Sequence, residues 1–160
     1  IDRQAQDLLW AHCGDSRAYL FRGGGLAARS SDHSMVQQLV SSGMLDEEGA
    51  RLHPQRHVLL SALGSLADPP SIDVSPRMRL QAGDALLLCS DGVWEVVGDE
   101  GLLKTLQAAG SASQWLQLLD GEILALAKPG HDNFTALAVW LTAAPGDADA
   151  ERTILVHSGR

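Results

Sequence analysis

The five residues Ala85-Leu86-Leu87-Leu88-Cys89 are apolar on both parities and run straight into Ser90-Asp91-Gly92. A strand with no polar face has to be covered on both sides, so this segment is expected to be the central strand of a layered sheet. Its polar end then sets an aspartate at the mouth of that sheet. The turn Gln81-Ala82-Gly83-Asp84 precedes the strand. Upstream, Ile72 to Leu80 alternates, with Ile72, Val74, Met78 and Leu80 as its apolar positions. That alternation predicts a half-buried strand, and Pro76 within it points to an edge or a bulge.

Asp7 to Cys13 and Arg17 to Arg22 are short apolar runs parted by Gly14-Asp15-Ser16, and Gly23-Gly24-Gly25 turns the chain into Leu26 to Arg29. This pattern predicts an antiparallel meander. Met35, Val36, Leu39 and Val40 recur at helical spacing, with Ser34 as the cap and Gly43 as the stop. Asp46 is expected to cap a second short helix, and Leu52 to Ser65 is irregular and assigned to a surface subdomain. After the central strand, Asp99 is expected to cap a helix bearing Leu102, Leu103 and Leu106. Ser111 is expected to cap a longer one with Trp115, Leu119, Ile123 and Leu126 on one face. Lys128-Pro129-Gly130 stops that helix, and Phe134 to Leu141 returns as an apolar strand after the polar loop His131-Asp132-Asn133. Ala143 to Glu151 reads as a solvated acidic tail, with Thr153 to Val156 as a further edge strand. No internal repeat is present.

The 160 residues are 45% hydrophobic, enough for one packed domain. Twenty Asp and Glu against twelve Lys and Arg give a net charge of -8, which disfavours nucleic acid or an anionic membrane as partner. The longest apolar run, Ala136 to Leu141, is far short of the roughly 18 to 20 residues of a membrane-spanning helix. The chain opens on Ile1 with no leader-like segment, and we read it as a fragment. Cys13 and Cys89 are too few for a disulfide framework and lie at no zinc-ligand spacing. They are expected to be small buried hydrophobes in a reducing, cytoplasmic setting.

Asp15, Asp91 and Asp132 each stand where a tight polar loop meets an apolar strand. Carboxylates at strand ends of one sheet can converge, and hard oxygen ligands suit Mg²⁺ or Mn²⁺. Taken singly, each such Asp is more often simply the residue of an ordinary turn. Gly92 leaves space beside Asp91 for waters or substrate, and Asn133 can orient a neighbouring group. Arg17 can pair with a carboxylate behind the site or sit outside its strand, the commoner fate of an isolated strand Arg, and Trp94 and Trp115 are expected in the core. His33, with Asp32, is expected to fix the loop before a helix. His53, His57 and His131 have no partner by spacing.

Four motifs occur in order: Gly14-Asp15-Ser16-Arg17, Asp32-His33-Ser34, Ser90-Asp91-Gly92-Val93-Trp94-Glu95 and Asp132-Asn133-Phe134-Thr135. Together with His53-Pro54-Gln55-Arg56 and Ala62-Leu63-Gly64, they make the chain resemble the metal-dependent type 2C serine/threonine protein phosphatases. This is the PPM family, and the likeness is to its compact bacterial members, from about Leu8 to Leu141. The resemblance implies an α+β fold, an α/β/β/α sandwich of two antiparallel sheets flanked by helices with the N-terminal portion missing. Residues 1–142 would be the C-terminal portion of the domain, residues 34–66 a flap-like subdomain, and residues 143–160 an acidic tail.

It further implies hydrolysis of phosphoserine and phosphothreonine on proteins by a metal-activated water, with two core Mn²⁺ or Mg²⁺ ions and a possible third. Asp91 and Asp132 match ligands of a core metal and are ranked first as catalytic. Asp15 matches a carboxylate of the additional ion. Gly92 and Asn133 support them from behind, and the partner is a phosphorylated protein, the target of a serine/threonine kinase. The family's Asp-Gly-x-Gly-Gly-His motif, phosphate-binding Arg and acid His belong upstream and are not found before Leu8, so this chain alone is expected to be inactive. The alternative is a pseudophosphatase, a phosphoprotein-binding scaffold. Retention of three clustered carboxylates argues against it, because without cations they repel one another.

Overall fold

In the computed structural model, residues 1–2, 4–65 and 69–141 are described. The central element is a four-stranded antiparallel sheet in the order β4-β3-β7-β8. Its strands are β3 (Arg17–Arg22), β4 (Gly25–Arg29), β7 (Ala85–Cys89) and β8 (Ala136–Trp140). The apolar run that opens the sequence argument is thus an interior strand, paired to β3 on one side and β8 on the other.

Register sorts the side chains onto two faces. Tyr19 lies opposite Leu87, which lies opposite Ala138, while Leu20 lies opposite Leu86 and Val139. The Tyr19 face is covered by the helices α3 (Asp91–Ala108) and α4 (Ala112–Leu126), forming the main core. Trp115 is completely buried there, edge-on to Phe21 at 5.6 Å, and its indole N–H donates to Thr105 Oγ1 at 3.2 Å. Each fully buried Leu of this cluster contributes roughly 1.5–3 kcal/mol of transfer free energy. The Leu20 face packs with Leu8, Leu80, Leu86 and Leu141 in a smaller cluster.

Among the described residues, the second layer consists of two short antiparallel ladders. β1 (Asp7–Leu8) pairs with β6 (Met78–Arg79), and β2 (Ala11–His12) pairs with β5 (Asp73–Val74). Antiparallel sheets with flanking helices therefore agree with the expected α+β class. Among the described residues the second sheet is fragmentary, and Leu88 on that face remains 49% exposed.

Caps set several boundaries as expected. Ser34 accepts from Gln37 N ahead of α1 (Met35–Ser41), Asp46 from Gly49 N ahead of α2 (Glu47–Leu52), and Ser111 from Gln114 N ahead of α4. α1 and α2 pack on each other within the subdomain assigned to residues 34–66, whose last residue lies outside the described ones. The tail and the edge strand expected over residues 143–160 also lie outside them.

Four local expectations are corrected. The strand expected over Ile72 to Leu80 is two separate two-residue strands, because Pro76 has no N–H to give and Ser75 instead bonds to Trp10. Ile72 and Val74 are exposed, and Leu80 is buried. Asp99 does not cap with its side chain: α3 runs from Asp91 and kinks at Gly98, whose φ of 63° and ψ of 175° suit glycine, and the helical segment bearing Leu102, Leu103 and Leu106 begins directly after the kink, as expected. The Asp99 carboxylate instead accepts from Tyr19 Oη at 3.1 Å and Arg29 Nη1 at 2.8 Å. Leu126, at the last position of α4, is exposed while Trp115, Leu119 and Ile123 are buried. Arg17 is not a solvated strand residue, since it packs inward as described below.

Candidate active site

β7 delivers Ser90 and Asp91 at its C-terminal end, and the segment entering β8 is stapled beside them. Ser90 N donates to Thr135 O at 3.0 Å, and Thr135 N donates to Ser90 Oγ at 3.1 Å. This reciprocal pair brings the loop of Asp132 and Asn133 against the first turn of α3. A Cβ on Gly92 would stand 2.5 Å from the Asn133 carbonyl oxygen, so only glycine admits the approach. The Cβ direction of Gly92 is thus taken up by backbone, while Asp91 and Gly92 both face an open cleft. His131 Nε2 donates to the Gly92 carbonyl at 2.9 Å, pinning the loop from its other end.

Asp15, Asp91, Asp132 and Asn133 line one open cleft of about 930 Å³. Asp91 Oδ1 accepts from Gly92 N at 2.8 Å, and Asp132 Oδ1 accepts from Asn133 N at 2.7 Å, leaving oxygens of both carboxylates for other ligands. The contacts described for Asn133 are made by its backbone. Burial and then the charge of Asp91 raise the Asp15 carboxyl above its usual value. Half-buried carboxylates that push against each other fit hard divalent cations, which would relieve both effects. Asp15, Asp91 and Asp132 do not all close on one ion position. Among the described residues, the trio of His, Cys, Asp and Glu side chains with ligating atoms within 4.8 Å of one another is His12, His33 and Asp73.

Glu95 is a fourth carboxylate of the cleft that the sequence reading did not single out. Burial raises it, His57 and Arg56 pull it back, and the charges of Asp91 and Asp15 raise it further. Its spacing of four from Asp91 on a helix is the signal that could have found it. Arg56 Nε and His57 Nδ1 reach it from the flap-like subdomain at 3.7 and 3.5 Å.

In an adjoining cavity of about 550 Å³ that shares Arg56, Glu95 and Lys128 with the cleft, Arg17 donates through Nε and Nη2 to the two oxygens of Asp32, both at 2.8 Å. Its guanidinium lies 3.5 Å over the Trp94 ring. Burial works against the Arg17 charge, but the Asp32 hydrogen bonds outweigh it and raise its proton affinity. Trp94 is half-buried, packed on the main core and lining the same cavity as Arg17, whereas Trp115 is core as expected. Cys89 is free and buried, which pushes its thiol up to about 12, and Cys13 is free and half-buried.

No family model matches the chain. Individual proteins do. The serine/threonine protein phosphatase PstP of Mycobacterium tuberculosis is 39% identical over 126 residues, 79% of this chain and 23% of that protein. A putative protein phosphatase 2C-type of Streptococcus pyogenes is 35% identical over 132 residues, 82% of this chain and 52% of that protein. The solved serine/threonine phosphatase of S. agalactiae superposes with a TM-score of 0.74 at 32% identity, covering 83% of this chain and 53% of its own. The PstP catalytic domain in complex with two manganese ions gives 0.64 at 32% identity, covering 83% and 52%. A PPM Ser-Thr phosphatase from Mycobacterium smegmatis gives 0.70 at 29%, covering 82% and 55%. The chain spans about half the length of the S. pyogenes relative and of these solved structures, and about a quarter of PstP. Over the residues it shares with them, the chain belongs to the PPM, type 2C family of bacterial serine/threonine phosphatases.

Proposed function

We propose that this chain is part of an enzyme that hydrolyses phosphoserine and phosphothreonine monoesters on proteins with the help of divalent cations. The observation that carries the reading is the gathering of Asp15, Asp91, Asp132 and Glu95 around one cleft, at the end of an interior strand. Asp91 and Asp132 would hold a core ion, and Asp15 with Asp91 an additional one. Mn²⁺ or Mg²⁺ bound there supplies Lewis acidity and a nucleophile at neutral pH.

The chain's own residues do the rest. Ser90 and Thr135 fix the spacing of the two loops, and Gly92 and His131 hold the Asp132 loop against α3. Arg56 and Lys128 at the rim present positive charge to an incoming phosphate, partly offset by Glu95. A phosphorylated protein, the product of a serine/threonine kinase, is the partner this chemistry calls for. No helix among the described residues is long and apolar enough to cross a membrane, and we assign the work to the cytoplasm.

The four carboxylates are too few for two fully ligated core ions, so we propose that the 160 residues alone turn over little substrate. Hydrolysis of a phosphothreonine peptide with Mn²⁺ is the test. The full-length protein is expected to turn over, and Asp91→Asn to lose at least about a hundredfold. Robust turnover by the 160-residue chain would overturn its inactivity. Phosphoprotein binding unaffected by chelator, with no turnover by the full-length protein, would put the scaffold reading in place of the enzyme.

A further inference from the structure

A second cluster of ligating groups lies outside the cleft. His12 and Asp73 are cross-strand partners in the β2–β5 ladder. His33, from the loop before α1, stacks on His12 with ring centroids 4.7 Å apart and planes at 29°. One ligating atom from each of the three lies within 4.8 Å of the others. None of them lines the carboxylate cleft.

The ring nitrogens favour an ion between these side chains. His12 Nε2 lies 2.7 Å from the Ser31 carbonyl, which can only accept, so Nε2 carries the proton and Nδ1 keeps its lone pair. An imidazole fixed through one nitrogen by a backbone carbonyl is the arrangement metal-binding histidines use. His12 Nδ1 and His33 Nε2 are both buried without a hydrogen-bond partner. His33 Nε2 does stand 3.2 Å from Asp73 Oδ2, within ion-pair reach but off the line of a ring N–H bond. His33 Nδ1 accepts a long bond, 3.3 Å, from Gly14 N. A cation at Nε2 moves the His33 proton to Nδ1, with no net release, and the Gly14 contact is the bond given up.

We propose that His12, His33 and Asp73 form a zinc site that ties β2, β5 and the loop before α1 together. Two imidazoles and one carboxylate suit Zn²⁺, with a fourth position open to water, and disfavour Mg²⁺, which prefers all-oxygen shells. This site stands independently of the phosphatase reading.

The test is Zn²⁺ titration of the full chain in millimolar Mg²⁺, read by competition with a colorimetric chelator and by the shift in Tm. One Mg²⁺-resistant equivalent of zinc per chain that raises Tm is expected. His12→Asn and Asp73→Asn should each weaken it at least about tenfold, while Asp91→Asn and Cys13→Ser keep it. Asp73 is exposed, so Asp73→Asn gives a reading even if His12→Asn fails to fold. Absence of Mg²⁺-resistant uptake, or uptake that Asp73→Asn leaves unchanged, overturns the site.

Discussion

The indole N–H of Trp94 donates to the backbone carbonyl of Asp15 at 3.0 Å, across a separation of 79 residues. The first turn of α3 thereby holds the turn that carries a cleft carboxylate. Because the Arg17 guanidinium covers the same ring, the ion pair with Asp32 backs this contact. Trp94→Phe keeps a ring under Arg17 but removes the donor, and is expected to cost about 1 kcal/mol. Trp94→Leu removes the cation–π contact as well and should cost roughly 0.5–1 kcal/mol more. Urea unfolding of both variants checks the order; equal losses would mean that Arg17 gains nothing from the ring.

Gly92→Ala sets a methyl group 2.5 Å from the Asn133 carbonyl. The loop of residues 131–134 has to withdraw, at a cost of roughly 1–3 kcal/mol, and Asp132 moves with it. Mn²⁺ affinity measured by calorimetry should therefore fall along with stability. A stable Gly92→Ala protein with unchanged Mn²⁺ binding would separate this loop from the metal site.

Asp15→Asn tests the link between charge and function. The Asp15 carboxyl is raised in the folded chain by burial and by Asp91. A folded-state value above the unfolded one means that the folded state holds the proton more tightly. Ionisation as pH rises through that window then lowers stability. Metal-free Asp15→Asn should have a higher Tm than the parent at neutral pH, with a smaller rise in Tm as pH falls toward 4. With Mn²⁺ the order should reverse, because the parent gains a ligand and the variant does not. A lower Tm for the metal-free variant at neutral pH would contradict the assignment.

Asp84 offers a contrast away from the cleft. Its side chain is fully buried and accepts from Arg22 Nε and Nη2, both at 2.8 Å, and from Gln81 N at 2.9 Å. Asp84→Ala leaves the half-buried Arg22 without its anion at the turn into β7, and a loss of about 3 kcal/mol is expected. Thermal unfolding should register it. If enough folded protein remains, Mn²⁺ affinity should equal that of the parent; a parallel fall would place Asp84 in the metal site's support.

Local chemistry made part of this fold readable in advance. The apolar run Ala85–Cys89 has one home, an interior strand, and Ser34, Asp46 and Ser111 cap their helices because each cap needs only a side chain and an amide three residues on. The clustering of Asp15, Asp91 and Asp132 was legible because all three stand at the ends of apolar strands. The Trp94 contact was not, since its partner lies 79 residues away; a carboxylate partner for Arg17 was open but not its identity, and Glu95 was signalled only by its spacing of four from Asp91. Asp99 was misread because of distant partners too: a capping residue was captured by Tyr19 and Arg29 from two other strands. Sequence alone determined the interior strand, the helix caps and which carboxylates sit at strand ends, because periodicity and turn chemistry act within a few residues. Tertiary structure decided which side chains meet, including His12, His33 and Asp73, because contacts between distant segments depend on strand register and loop path, which no local pattern encodes.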